Sequence, residues 1–232
     1  MKKFYKLASV TGESAPFGVA LDGRPVRTPA RAALALPTRA LADAVAAEWN
    51  AQGAEILPLS MPLTGLSNAA IDRIAPNTNA FADGLSVFAE NELLAYRADG
   101  PALLVARQVA VWDTWLGWAR RRYDVEFTIV TGIIHQPQPS ETLARIAAAY
   151  RSFDAFRLAA LNPIVTICGS AVIGLAVMAG EMDADTAWEI GHLDELWQAE
   201  QWGKDPLAEA GHRERQADLA AAVRMLALLA EA

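Results

Sequence analysis

The chain has 232 residues, with 20 lysines and arginines against 27 aspartates and glutamates, which gives a formal net charge of −7. This balance disfavours contact with phosphate backbones, so we expect no general nucleic-acid binding. Apolar residues make up 53% of the chain and Cys168 is its one cysteine, which excludes extensive disorder, a disulfide scaffold and a zinc site built on several cysteines.

The beginning of the chain has the pattern of short β-strands. Residues 4–10 and 17–21 have strand-like composition, and the dipeptide at 22–23, Asp-Gly, is a hairpin signal. The hairpin predicts a further strand within residues 24–30, whose two prolines suit an edge strand better than a central one. Residues 31–36 are a fourth candidate strand.

A helix follows this β-rich segment. Thr38 is a suitable N-cap, and Gly53 is a natural stop. The apolar face of this helix consists of Leu41, Val45, Ala46 and Trp49.

The rest of the chain has mostly helical patterns. Residues 92–98 predict a short strand or an extended link, and residues 127–133 are rich in β-formers. Helices are predicted at about 64–75, 78–91, 101–122, 140–150, 152–160, 163–180, 184–202 and 206–231. We therefore predict an α+β fold with a small β-rich N-terminal domain (1–72) and a larger all-helical C-terminal domain (73–232).

Residues 158–180 form a run of 23 residues without a charge. The run is long enough to cross a bilayer, so a membrane-embedded or peripheral protein is one alternative. Pro163, Gly169 and Gly174 interrupt it, however, and a fully buried central helix has the same composition. We expect a buried segment and no stable membrane insertion, with Cys168 inert because burial disfavours its thiolate.

Two Glu-x-x-His motifs raise the possibility of a metal site. In helical bundles such motifs, with one glutamate from each of two further helices, hold two iron ions. The motifs are close in sequence with Gly203 and Pro206 between them, and Glu48, Glu90 and Glu141 look like solvent-face residues. We favour ordinary surface positions and no metal; the alternative is a metal-dependent helical enzyme using Glu189/His192 and Glu209/His212.

The sequence contains seven tryptophans, which fall into two groups of interest. Trp112 and Trp115 share a helical face and are predicted to lie in the core. Trp197 and Trp202 stand among carboxylates, as aromatic residues of a protein-binding surface do. Composition alone favours the alternative, a solvated helix face whose two tryptophan side chains pack into the core. Nucleotide-binding and hydrolase motifs are absent, so we expect neither a cofactor nor an enzyme.

Several segments, taken in order, resemble one family over nearly the whole chain. They are GVALDGRPVRTPA, the A-x-E-W-x-x-Q context of Trp49, MPLTGLSNAAID, ELLAYRA, Q-x-x-x-W-D-x-x-L-x-W, GSAVIGLAVMAG and DELWQAEQWG. They are similar to the assembly chaperones for the alpha subunit of the F-type ATP synthase catalytic sector. The family tends to have an aspartate where Glu92 stands.

The resemblance implies a non-enzymatic chaperone. Such a protein would bind the unassembled alpha subunit, mask its subunit interface against aggregation and release it to the beta subunit. We expect a protein that is monomeric when free, and one that is cytoplasmic in a bacterium, whereas organellar relatives would act in the mitochondrial matrix.

The resemblance also implies functional residues. The family's sensitive acidic residue falls on Asp194 or Glu195, of which we favour Glu195 as a charged anchor to the client. Gln198 and Trp202 belong to the same partner-binding segment. Trp49 is expected to be structural, holding its helix against the β-rich unit.

Overall fold

The computed structural model describes residues 1–203 and 206–231 and has the α+β architecture expected from the sequence. Within these residues, five strands form two sheets: β1 Ala8–Thr11, β2 Gly18–Leu21, β3 Arg24–Pro25, β4 Tyr96–Arg97 and β5 Val130–Thr131. The α-helices of the described residues are α1 Arg39–Asn50, α2 Pro62–Ala69, α3 Thr78–Ser86, α4 Ala102–Tyr123, α5 Ser140–Arg151, α6 Ala155–Cys168, α7 Ala171–Met178, α8 Ala184–Gly191, α9 Leu193–Trp202 and α10 Pro206–Ala230.

The first sheet is antiparallel in the order β1-β2-β3, and the predicted hairpin is confirmed. Asp22 and Gly23 both have positive φ, 47° and 81°, and connect strands paired through Leu21 and Arg24. The strand expected at 31–36 is wrong, because this segment makes isolated bridges only. β4 and β5 form a separate parallel pair, to which the expected strands at 92–98 and 127–133 contribute two residues each.

The chain divides into two compact groups of residues. Unit 1 contains Met1–Thr78, Asp154–Ala160 and Ala221–Ala232, and unit 2 contains Asn79–Phe153 and Leu161–Ala220. Helices α6 and α10 therefore contribute residues to both units. The predicted domain division between residues 72 and 73 stays a prediction, since compact contact groups do not by themselves define domains.

Unit 1 is built around α1, which packs on β1 and β2. Thr38 caps this helix as predicted, accepting a hydrogen bond from the backbone N of Leu41 at 3.2 Å. Its hydroxyl donates to the carbonyl oxygen of Leu228 at 2.8 Å. Leu226 and Leu229 of the same chain segment are buried. Residues from both ends of the chain therefore complete this core.

The end of α1 holds the neighbouring segments through polar contacts. Glu48 accepts hydrogen bonds from the backbone N of Leu63 at 2.7 Å and of Thr64 at 2.8 Å, and so caps the first turn of α2. The expectation that Glu48 is a solvent-face residue is wrong, because capping α2 keeps it partly buried. The buried Gln52 accepts a hydrogen bond from the backbone N of Leu57 at 2.8 Å.

The boundaries expected for the uncharged run are wrong. α6 continues through Pro163, and the break comes instead at Gly169 and Ser170. Gly169 has a φ of 65°, a conformation in which glycine carries no Cβ penalty, and the Ser170 side chain caps α7 through the backbone N of Ile173 at 3.0 Å. No helix among the described residues is long and apolar enough to cross a membrane.

The helix predicted at 184–202 is two helices separated at His192. Asp183 caps α8 as predicted, accepting from the backbone N of Thr186 at 2.8 Å. His192 leaves helical geometry, with φ −116° and ψ 23°, and its ring stacks on that of Trp188 at 3.6 Å between centroids. His192 therefore interrupts the helix and separates α8 from α9. The helix predicted at 78–91 is also shorter, ending at Ser86 before a single 3-10 turn.

The tryptophan prediction for α4 is partly confirmed. Trp112 is buried and donates its indole N–H to the carbonyl oxygen of Ile190 at 3.0 Å. Trp115 is only partly buried and contacts Trp118 edge-to-face. The core of unit 2 therefore includes Trp112 but not all of Trp115.

Candidate functional site

The four residues predicted to bind a partner all lie on α9. This helix packs against α4 and α8, and Leu193 is the one residue of α9 that is buried. Glu195, Gln198 and Trp202 recur at intervals of three and four and therefore share one face. Asp194 lies one position away from that face. The fold brings three of the predicted residues together and directs the fourth elsewhere.

Asp194 is held by α4. Its carboxylate accepts a hydrogen bond from the side-chain amide of Gln108 at 2.8 Å. Gln108 is itself buried and accepts a hydrogen bond from the backbone N of Ala98 at 2.9 Å. Asp194 also lies in the first turn of α9, where a negative charge complements the helix dipole. Its contacts therefore favour a role in holding α9 on α4.

Glu195 extends from α9 towards α10. Its carboxylate lies 3.0 Å from Nε2 of His212 and 3.9 Å from a guanidinium nitrogen of Arg215. The side chain is nevertheless 51% exposed. The structure thus presents a charged group that is oriented by neighbours and still open to a partner.

Trp202 ends α9 and is 76% exposed. It touches Trp197 edge-to-face with ring centroids 6.0 Å apart, and Gln198 on the same face is exposed. The reading in which both tryptophans are rooted in the core is therefore wrong for Trp202.

Trp49, predicted to be structural, lies near the end of α1 in unit 1. Its ring contacts Tyr5 edge-to-face with centroids 5.7 Å apart, and Tyr5 donates its hydroxyl to the carbonyl oxygen of Trp49 at 2.6 Å. The indole N–H is buried without a hydrogen-bond partner. These contacts are of the kind expected for a packing residue.

The two Glu-x-x-His motifs do not assemble a metal-binding group. His192 is buried rather than a surface residue, and desolvation lowers its pKa, which favours the neutral imidazole. His212 pairs with Glu195, while Glu189 is exposed on α8. Within residues 1–203 and 206–231, no group of three or more His, Cys, Asp or Glu residues could hold a metal ion.

Glu92 is a residue whose role the sequence reasoning missed. It is fully buried and accepts hydrogen bonds from the Ser170 hydroxyl, from the backbone N of Val172 at 3.1 Å and from that of Leu94 at 3.3 Å. Burial raises the pKa of this carboxyl from 4.5 to about 7, with its hydrogen bonds opposing the shift. The available signal was a glutamate beside apolar residues in ELLAYRA, but its partners are some 80 residues away in sequence.

Cys168 is poorly placed to act as a nucleophile. Cys168 is buried, and desolvation raises the pKa of its thiol to about 12. The prediction that this thiol is inert is confirmed, because the thiolate would be absent near neutral pH. Unit 2 also presents an exposed surface, the α9 face that carries Glu195, Gln198 and Trp202.

Comparisons with known proteins identify the family of the chain. Residues 2–120 match the family model described as ATP12 chaperone protein. The mitochondrial protein atp12 of Schizosaccharomyces pombe is 22% identical over 218 residues, covering 87% of this chain and 74% of the relative. The crystal structure of Atp12 from Paracoccus denitrificans is 40% identical with a TM-score of 0.93, covering 98% of this chain and 97% of that one.

A protein of known structure from Agrobacterium tumefaciens is similar to the same extent. It is 41% identical with a TM-score of 0.93, and the match covers 98% of this chain and 86% of that one. The family match covers residues 2–120, and the two structural matches extend over 98% of the chain. The chain belongs to the ATP12 chaperone protein family, the assembly chaperones of ATP synthase.

Proposed function

We propose that this chaperone binds the unassembled alpha subunit of the F-type ATP synthase and releases it to the beta subunit. The observation that carries the proposal is the α9 face on which Trp202, 76% exposed, follows Glu195 at helical spacing. An isolated subunit of a ring exposes apolar surface that assembly would bury, and such surface promotes aggregation. A binder with its own exposed aromatic group can cover that surface.

Trp202 and Glu195 have complementary parts in this contact. A tryptophan provides a large apolar area and is enriched among the residues that dominate binding energy. A charged group that loses water on binding chiefly slows dissociation and fixes orientation. His212 and Arg215 orient Glu195 before binding, so less side-chain entropy is lost when the partner arrives.

The proposal assigns no chemical step to the chaperone. Release follows when the beta subunit binds the same alpha-subunit surface more tightly, so neither a cofactor nor nucleotide hydrolysis is needed. We further propose a free protein that is monomeric, acts in the bacterial cytoplasm and does not insert stably into membranes.

Co-expression with the alpha subunit tests this function. We expect the two proteins to elute together in size-exclusion chromatography, and we expect the complex to disappear when purified beta subunit is added. An alpha subunit that remains insoluble while this chain elutes alone would contradict the proposal. A complex that persists with excess beta subunit would contradict the release step.

A charge reversal tests the part of Glu195. We expect Glu195→Lys to abolish the complex, with its thermal midpoint close to that of the wild type because the position is half-exposed. Glu214→Lys is the matched control, since Glu214 is an exposed carboxylate on α10. Equal loss of binding in both variants, or global unfolding of Glu195→Lys, would remove the anchor role.

A further inference from the structure

A groove lies within unit 2 on a different side of α9 from Glu195 and Trp202. Its volume is about 480 Å³, within the range of cavities that bind ligands. It lies among α4, the end of α8 and α9, and we call it the α4–α9 groove. Its lining residues are Arg107, Val111, Glu189, Ile190, Leu193, Leu196, Ala199 and Glu200.

The apolar surface of this groove extends beyond the cavity. Arg107, near the start of α4, pairs with Glu200, near the end of α9. The start of α4 and the end of α9 therefore share one end of the groove. Leu103, four residues before Arg107 and on the same helical face, is 79% exposed there. A surface of this extent favours a polypeptide over a small molecule.

The charges of the groove indicate what the polypeptide carries. Arg107 and Glu200 form an ion pair at 2.8 Å and largely neutralise each other. Glu189 lines the same groove, is exposed and forms no ion pair with any described residue. The lining therefore has one carboxylate in excess. A lysine or arginine among apolar side chains would complement it.

We propose that the α4–α9 groove binds a short apolar segment of the client that carries a basic side chain opposite Glu189. The inference rests on the proposed function only for the identity of the client. Apolar side chains of the segment occupy the space over Leu196 and Ala199, in the manner of a helix laid into a groove. Trp202, on a different side of α9, would then contact another part of the same client.

Model peptides test the groove without the alpha subunit. The probes are an amidated amphipathic peptide of leucine and alanine with one arginine on its apolar face, and the same peptide with glutamate in place of arginine. We expect calorimetric titration to show saturable binding of the arginine peptide, and binding of the glutamate peptide at least about tenfold weaker. No binding of the arginine peptide to the wild-type chain would overturn the proposal.

Two variants localise the binding. Ala199→Trp fills the groove and should abolish peptide binding, and Glu189→Arg, an exposed substitution that does not threaten the fold, should reverse the preference between the peptides. Glu214→Arg on α10 is the control with the same charge change and should bind like the wild type. Wild-type peptide affinity and preference in Glu189→Arg would overturn the proposal.

Binding of the alpha subunit, measured beside peptide binding, distinguishes the groove proposal from the proposed function. If the alpha-subunit complex forms normally but the arginine peptide does not bind, the groove is wrong and the proposed function stands. If the peptide binds as expected but no alpha-subunit complex forms, the proposed function fails and the groove remains a site for apolar basic segments.

Discussion

Helices α7 and α9 belong to the same unit and have similar lengths, yet the protein treats them in opposite ways. Residues 171–177 of α7 are all buried, and the helix carries no charged residue. α9 buries Leu193 alone, contains three carboxylates and ends in an exposed tryptophan. The glutamates that contact or belong to the two helices differ as well. Glu92, which accepts hydrogen bonds at the start of α7, is buried, whereas Glu195 of α9 is half-exposed.

The difference indicates different roles: α7 stabilises the core of the unit, and α9 provides an exposed surface. A helix that is buried on every side cannot contact a partner. A substitution there disturbs close packing and so lowers the stability of the whole fold. A helix attached along one side can lose or exchange exposed side chains with little effect on stability. Substitutions near α7 should therefore affect folding, and substitutions on α9 should affect binding.

Gly174 in α7 should give the largest effect on stability. A Cβ at this position would lie 2.6 Å from the Tyr150 hydroxyl oxygen and 2.6 Å from a methyl carbon of Val165, both inside the core. We expect Gly174→Ala to lower the free energy of unfolding by about 3 to 4 kcal/mol, measured by urea denaturation.

Gly211 in α10 provides the matched control. A Cβ there meets nothing within 4 Å, so Gly211→Ala should raise the free energy of unfolding by about 0.5 to 1 kcal/mol through helix propensity. Similar destabilisation by both substitutions would show that α7 is no more tightly packed than a surface helix.

Trp49 extends the contrast to unit 1. Arginine in its place would lose the packing against Tyr5 and bring an unpaired charge to a partly buried position. We expect Trp49→Arg to lower the free energy of unfolding by about 3 kcal/mol, seen as a lower thermal midpoint. An unchanged midpoint would remove the structural role of this residue.

Glu92 should make the stability depend on pH. Its pKa is raised from 4.5 to about 7 by burial, so the folded state retains the proton to higher pH than the unfolded state. Its stabilising contribution is therefore complete below pH about 4.5 and is lost as the pH rises to about 7, amounting to about 3 kcal/mol.

Glu92→Gln removes this titration while preserving the size of the side chain. The difference in unfolding free energy between the wild type and Glu92→Gln should change across pH 4.5 to 7 and stay constant above it, as measured by urea denaturation at each pH. Parallel profiles for the two proteins across that interval would contradict the assignment.

Trp202 should give the smallest effect on stability and a large one on binding. Because its indole is 76% exposed, Trp202→Ala should change the free energy of unfolding by less than about 0.5 kcal/mol. If Trp202 anchors the client, the same substitution should weaken the alpha-subunit complex by about 30-fold, measured by titration. A wild-type affinity would restrict the contact surface to the rest of α9.

Local sequence signals predicted local structure well. Thr38, Asp183 and the Asp22–Gly23 turn each act on a neighbour within three residues. Both partners of each interaction therefore lie in the same short stretch of sequence. The α+β class was predictable for the same reason, since it depends on periodicity and turn residues along the chain.

Errors arose where the partner is distant in sequence. The sequence around Glu92 gives no sign of its partners Ser170 and Val172, which are 78 and 80 residues away. Glu48 was assigned to solvent because its partners Leu63 and Thr64 belong to a different helix. The exposed position of Trp202 depends on α9 being held along one side only, which no local pattern contains.

The composition of unit 1 has a consequence for how the protein is made. Its core includes Leu226 and Leu229, and Thr38 donates a hydrogen bond to the carbonyl oxygen of Leu228. Those residues leave the ribosome only after all of unit 2 has been translated. Unit 1 therefore lacks part of its core until residues 226–229 have been synthesised, so this chaperone is itself exposed to misassociation during its own translation.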